Sequence, residues 1–236
     1  MNIDRLVNIM NKKTYKKNIF ADKATLILRK MLQEPDRKWV VRDFNGPEGV
    51  SLGLTQQVLE IIAQKGYAER IKKGPESHTV LTYPDKLIKE WTQFYKFELN
   101  TVKTYYTHDQ DILKKMKAVL NNHTYALTLH SGANLLTSYV KTDQVYIYLR
   151  TDNWDKDILN VRQKLDLKEL VSGGNVHFIE PYYKTSTFAN SQKIEGYSVV
   201  SNLQLFLDLY HFQPRGREQS EFLKEKLEQE GKTLGQ

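Results

Sequence analysis

The order of elements between residues 21 and 83 constrains the fold more than any other feature of this chain. From Ser51 to Gly66, Leu54, Val58, Ile61 and Ile62 recur at helical spacing, leaving one apolar face on an otherwise polar helix. Ser51 reads as the N-cap, because its hydroxyl can accept from an otherwise unpaired first-turn amide, and Gly66 reads as the stop. Residues 67–72 and 79–83 follow as strand-like runs around Lys73-Gly74-Pro75-Glu76-Ser77-His78, a β-hairpin by composition. Upstream, Ala24, Leu26, Ile27, Leu28, Met31 and Leu32 predict a helix over 21–33, closed at Glu34-Pro35 because proline disfavours helical geometry in its predecessor. Residues 38–44 begin extended and run into a short helix, punctuated by Asn45-Gly46-Pro47. Helix, short element, helix, hairpin is the order of a winged helix-turn-helix. The hairpin discriminates, since a plain two-helix motif has no use for a Lys- and Gly-rich ribbon after its second helix.

Charge points to the same region. The chain of 236 residues carries a formal +7, and residues 1–100 hold 18 Lys and Arg against 12 Asp and Glu, whereas residues 101–236 hold 17 against 16. A polyanionic partner is therefore expected at the first hundred residues, and double-stranded DNA is the polyanion that the element order suits. On the exposed side of the second helix, Ser51, Thr55, Gln56 and Gln57 are the expected DNA contacts, with the two glutamines placed to read base edges. Glu60 on that side limits how far the helix can enter a groove. Lys65, Arg70, Lys72, Lys73 and His78 are expected at phosphates, and the run Lys12-Lys13-Thr14-Tyr15-Lys16-Lys17 reads as solvated helix surface or as an arm beside the DNA.

A helix with Leu87, Ile88 and Trp91 on one face leads to a polar, aromatic junction over residues 100–107, where a domain boundary is expected. The division is thus a winged helix-turn-helix domain at 1–100 and an α+β domain at 101–236. In the second, helices are predicted over 109–121, 155–165, 202–210 and 218–230, and strands over 125–129, 144–149 and 176–179. His130-Ser131-Gly132 reads as a turn into a further helix, and residues 194–200 as a crossing segment. Strands and helices mix without strict βαβ alternation, which makes α+β the class.

Composition removes several chemistries. The chain lacks cysteine, hence disulfides and thiolate sites, and its six histidines have no metal-ligand spacing. No apolar run reaches the roughly 20 residues of a bilayer span, and residues 1–17 show no apolar signal-peptide core, so a cytoplasmic protein without membrane contact is expected. No motif of a phosphate-binding loop, dinucleotide site or nucleophile elbow occurs, and no cofactor is expected. Asp152, Asp155 and Asp157 resemble a carboxylate cluster, but helix capping and the helix-end dipole account for Asp155. Residues 129–149 resemble the opening of a nucleotidyltransferase fold, in which a strand carries two metal-binding carboxylates one residue apart. Here Gln144, Tyr146 and Tyr148 stand on that strand and cannot hold the metals. In the last apolar helix, Gln204 and Asp208 share a face, and Asp208 is expected either to pair with Arg215 across the turn at Pro214 or to line, with it, a partner or vestigial substrate groove.

With these residues in view, the chain resembles the AbiEi-type antitoxins of type IV toxin-antitoxin systems. The resemblance rests on Trp39-Val40-Val41-Arg42-Asp43-Phe44, Ser51 to Leu54 through Gly66-Tyr67, Leu87 to Trp91, Tyr125 to Thr128 with Gly132-Ala133, Gln144 to Tyr148, and above all Val199 to Leu209 followed by Arg215-Gly216-Arg217-Glu218. It implies a regulator that represses its own operon through the winged helix, and an antitoxin region, possessing no catalysis of its own, that opposes a nucleotidyltransferase-like toxin. The competing reading from the residues is a diverged nucleotidyltransferase or nucleic-acid-processing enzyme that uses the winged helix as a substrate clamp. A third is an adaptor whose second region is a protein interface only.

Overall fold

The computed structural model describes residues 18–46, 50–120 and 124–236. The basic run at 12–17 and the punctuating Pro47 lie outside them.

Eight α-helices and two sheets among these residues make a mixed α+β fold. Helix α1 (Asp22–Gln33) is followed by a bridge at Trp39, a one-turn 3-10 helix (Val41–Phe44) and α2 (Leu52–Gln64). The Ser51 hydroxyl accepts from Leu54 N at 3.2 Å, so the predicted cap is formed. Strands β1 (Ala68–Ile71) and β2 (His78–Leu81) pair antiparallel, and Trp39 bonds Thr79 through both backbone groups at 2.9 and 2.8 Å. That bridge ties the extended piece between α1 and α2 to the hairpin, while the fully buried Trp39 ring packs on Phe44.

Helix α3 (Pro84–Phe94) leads into a six-stranded sheet with order β3-β6-β5-β4-β8-β7, formed by β3 (Thr101–Tyr105), β4 (Tyr125–Leu127), β5 (Val145–Leu149), β6 (Val176–Glu180), β7 (Gln192–Ile194) and β8 (Tyr197–Val199). The β3·β6, β4·β5 and β7·β8 pairs are antiparallel, and β5·β6 and β4·β8 are parallel. Helices α4 (Ile112–Val119), α5 (Leu129–Thr137), α6 (Trp154–Lys164), α7 (Asn202–Tyr210) and α8 (Gly216–Gln229) complete the fold.

Three local expectations change. The junction at 100–107 contains strand β3, an edge strand that buries only Tyr105 among its five residues and so lacks the alternation of a half-buried strand. His130, Ser131 and Gly132 belong to the first turns of α5 and are buried there. Burial is possible because the Ser131 hydroxyl donates to Gln144 O and accepts from Tyr146 N, while His130 lies with Nδ1 2.5 Å from Gln219 Oε1 and Nε2 3.2 Å from Pro214 O. The crossing segment is a hairpin, β7 and β8.

The apolar core runs without interruption from Ile19 and Phe20 through the sheet to Leu234. Helix α1 meets the second half directly. The Asp22 carboxylate accepts from the backbone amides of Thr185 and Ser186, both at 2.8 Å, and the Thr25 and Ser186 hydroxyls are 2.6 Å apart.

Candidate nucleic-acid interface

Helix α2 turns Thr55, Val58, Leu59 and Ile62 inward, an i, i+3, i+4, i+7 stripe, with Leu54 and Ile61 packed at its margin. Thr55, expected among the DNA contacts, is therefore corrected to a core position. Its side chain is fully buried and its hydroxyl donates to Ser51 O at 3.2 Å, which satisfies the only polar group it carries inward. The solvent side presents Ser51, Leu52, Gly53, Gln56 and Gln64, with Gln57 and Glu60 partly exposed. Leu52 and Gly53 were missed by sequence reasoning. Leu52 continues the inward stripe by three residues but runs past the end of the core, and it is 46% exposed.

The hairpin's cations are organised around one carboxylate. Arg70 Nη1 and Lys72 Nζ lie 3.2 and 2.8 Å from Glu60 Oε2, and Gln64 donates to Glu60 Oε1. Hydrogen bonding to Lys72 is the main force that holds the Glu60 carboxyl below its usual range. Glu60, expected to limit entry into a groove, is thereby matched by Arg70 of β1 and by Lys72 just past its end. Arg70 also donates from Nη2 to Gln56 Oε1 at 2.8 Å and from Nη1 to Gln56 O at 3.2 Å. It was expected to point at phosphate, but it folds back on α2 with its side chain only 11% exposed. Lys65, 41% exposed, pairs with Glu90 of α3 at 2.5 Å. Lys72 and Lys73 stay largely open, Lys73 with Glu76 at 3.6 Å, and His78 Nδ1 donates to Glu76 O. Gln56, Arg70, Lys72 and His78 line one cleft of about 220 Å³ between helix and hairpin.

A second polar constellation lies inside the other half. Asp208 on α7 is fully buried and accepts from Tyr95 (2.7 Å), Thr128 (2.5 Å), Gln204 (2.7 Å) and Tyr148 (3.1 Å). Burial outweighs these four donors and pushes its carboxyl up to about 6. Gln204 Oε1 in turn accepts from Nη2 of Arg29, a buried α1 guanidinium set 5.2 Å from the Trp91 ring. Arg29 Nε and Nη1 take no partner, and burial lowers its pKa. The expected Asp208–Arg215 pair does not form. Arg215 is half-exposed at the start of α8 and bonds Glu218 at 3.2 Å, while Asp208 faces the sheet and α3.

On strand β5, Tyr148 thus belongs to this buried network, and Tyr146 stacks on His177 with centroids 4.4 Å apart. His177 Nε2 donates to Gln144 Oε1 at 2.8 Å, its Nδ1 accepts from Thr104, and burial depresses it to about 4. Asn153, rather than Asp155, caps α6 by accepting from Lys156 N, and Asp155 sits in the first turn paired with Lys103 at 2.6 Å. Among the described residues, no helix is long and apolar enough to cross a membrane, and no cluster of three His, Asp or Glu could hold a metal ion.

The geometry is that of a mixed α+β chain with an exposed helix face beside a cation-bearing hairpin. The particular family follows from the comparisons: residues 80–229 match the family described as transcriptional regulator, AbiEi antitoxin, type IV toxin-antitoxin system, and the chain belongs to that family. The match covers the sheet and α3–α8, whereas α2 and most of the hairpin precede it. No curated protein and no solved structure matches.

Proposed function

We propose that residues 18–94 form a winged helix-turn-helix that binds double-stranded DNA at an operator of the protein's own operon, α2 entering the major groove and the β1–β2 hairpin lying on phosphates. The second half is read as a degenerate nucleotidyltransferase-like antitoxin region that counters a nucleotidyltransferase-like toxin and has no catalysis of its own. The observation that carries the DNA reading is the neutralised Glu60: Arg70 and Lys72 match the one acid on an otherwise uncharged groove face. Ser51, Gln56 and Gln57 are the proposed helix contacts, and Lys72, Lys73 and His78 the proposed phosphate side. Lys65 is a further proposed phosphate contact, and Arg70 acts through Gln56 and Glu60. Absence of catalysis is supported by Tyr146 and Tyr148, which occupy the strand positions that metal-binding carboxylates would need.

A gel-shift with duplex from upstream of the gene tests this reading. Binding should weaken steeply with salt, and Lys72→Ala with Lys73→Ala should reduce the slope of log K against log salt by about two. Absence of salt-sensitive binding, or binding unchanged when Gln56→Ala is added to that pair, would remove the DNA claim.

A further inference from the structure

We propose that Arg70 sets what Gln56 can read, so that the base pair beneath Gln56 is selected for guanine over adenine. The inference deepens the DNA-binding reading and rests on it. A guanidinium carries donors only, so the group facing Arg70 Nη2 at 2.8 Å is the carboxamide oxygen of Gln56. The same side chain is anchored at Gln56 O and at Glu60 Oε2, both 3.2 Å from Nη1. With three anchors and 11% exposure, Arg70 is held against the helix. Gln56 is exposed, and no described residue accepts from its Nε2.

An unrestrained glutamine reads adenine by using both ends of its amide, donating to N7 and accepting from the N6 amino group. Here Arg70 takes one lone pair of the oxygen and holds it toward the hairpin, so the two N–H donors of Nε2 are the groups offered outward. Guanine is the base whose major-groove edge offers two adjacent acceptors, N7 and O6, whereas adenine would set its N6 donor against another donor. The cation therefore acts on sequence choice without touching a base, as a positioning residue.

The test is selection from a random duplex library with the full chain, followed by affinity measurements on the enriched duplex with single base changes. One position should require guanine, with replacement by adenine costing about five- to hundredfold, and 7-deazaguanine there should weaken binding. Arg70→Ala should move that position toward adenine. Gln56→Glu leaves a carboxylate oxygen outward and should move it toward cytosine, and this surface substitution is independent of whether the Arg70 variant folds. Adenine selected by the wild type, a preference unmoved by both variants, or uniform loss across all sequences on Gln56→Ala, the mark of a phosphate contact, would overturn the inference alone. No enriched duplex and no salt-sensitive binding would instead overturn the DNA-binding reading beneath it.

Discussion

Asp208 and His177 carry opposite pH linkages within one half of the molecule. Asp208 is raised to about 6, so its protonated form favours the fold, and that stabilisation is lost as pH rises from its unfolded value near 3.8 through 6. His177 is depressed to about 4, so its neutral form favours the fold, and that contribution is present above its unfolded value near 6.5 and lost as pH falls through 4. The two oppose each other over the shared window of pH 4 to 6. Denaturant midpoints should show it by difference from wild type: Asp208→Asn should be relatively weaker at pH 4 than at pH 7, and His177→Gln relatively stronger. Parallel pH profiles for both variants and the wild type would exclude these shifts. Neither shift announces itself in sequence. The sequence set Asp208 on one face with Gln204, but its other partners, Tyr95, Thr128 and Tyr148, come from three distant segments.

At the scale of elements, two helical glycines should respond to alanine with opposite signs. A Cβ on Gly53 meets nothing within 4 Å, so Gly53→Ala relieves the backbone-entropy cost of glycine in α2 and should stabilise by about 0.5 kcal/mol. A Cβ on Gly132 falls 2.9 Å from the Leu127 carbonyl oxygen and 2.8 Å from Leu205, where α5 crosses β4 and α7. Gly132→Ala should therefore destabilise by about 1–3 kcal/mol. Thermal or urea unfolding of the two variants checks both signs. The helices themselves were largely legible because apolar periodicity reports one buried face: α1, α2 and α7 fall within a few residues of their predicted limits, and α3 buries the predicted Leu87, Ile88 and Trp91. The rotation of α2 was not legible. Thr55 and Leu52 exchange the positions that hydrophobicity suggests, because Ser51 O takes the Thr55 hydroxyl while the core ends short of Leu52.

At the scale of the whole molecule, α1 is bonded to the loop at 185–186 and, through Arg29 and Gln204, to Asp208 at the sheet. Lys224 of α8 reaches Asp85 of α3 at 3.1 Å, and Leu234 is buried. We expect the helix-and-hairpin region and the sheet region to unfold together. Trp39 lies in the first and Trp154 in the second, so tryptophan fluorescence and far-ultraviolet circular dichroism of the unaltered chain should share one denaturant midpoint; two separated transitions would refute the coupling. By itself the sequence determined the α+β class, most of the helices and the site of the basic excess, because these follow from periodicity, turn chemistry and charge along the chain, while its motifs carried the family resemblance. Only tertiary structure decided which polar groups are free to act. Arg70 is folded onto Gln56 and Glu60, Lys72 also pairs with Glu60, and Asp208 meets Tyr95 and Thr128 instead of Arg215, since each outcome depends on partners that only folding brings within hydrogen-bond reach.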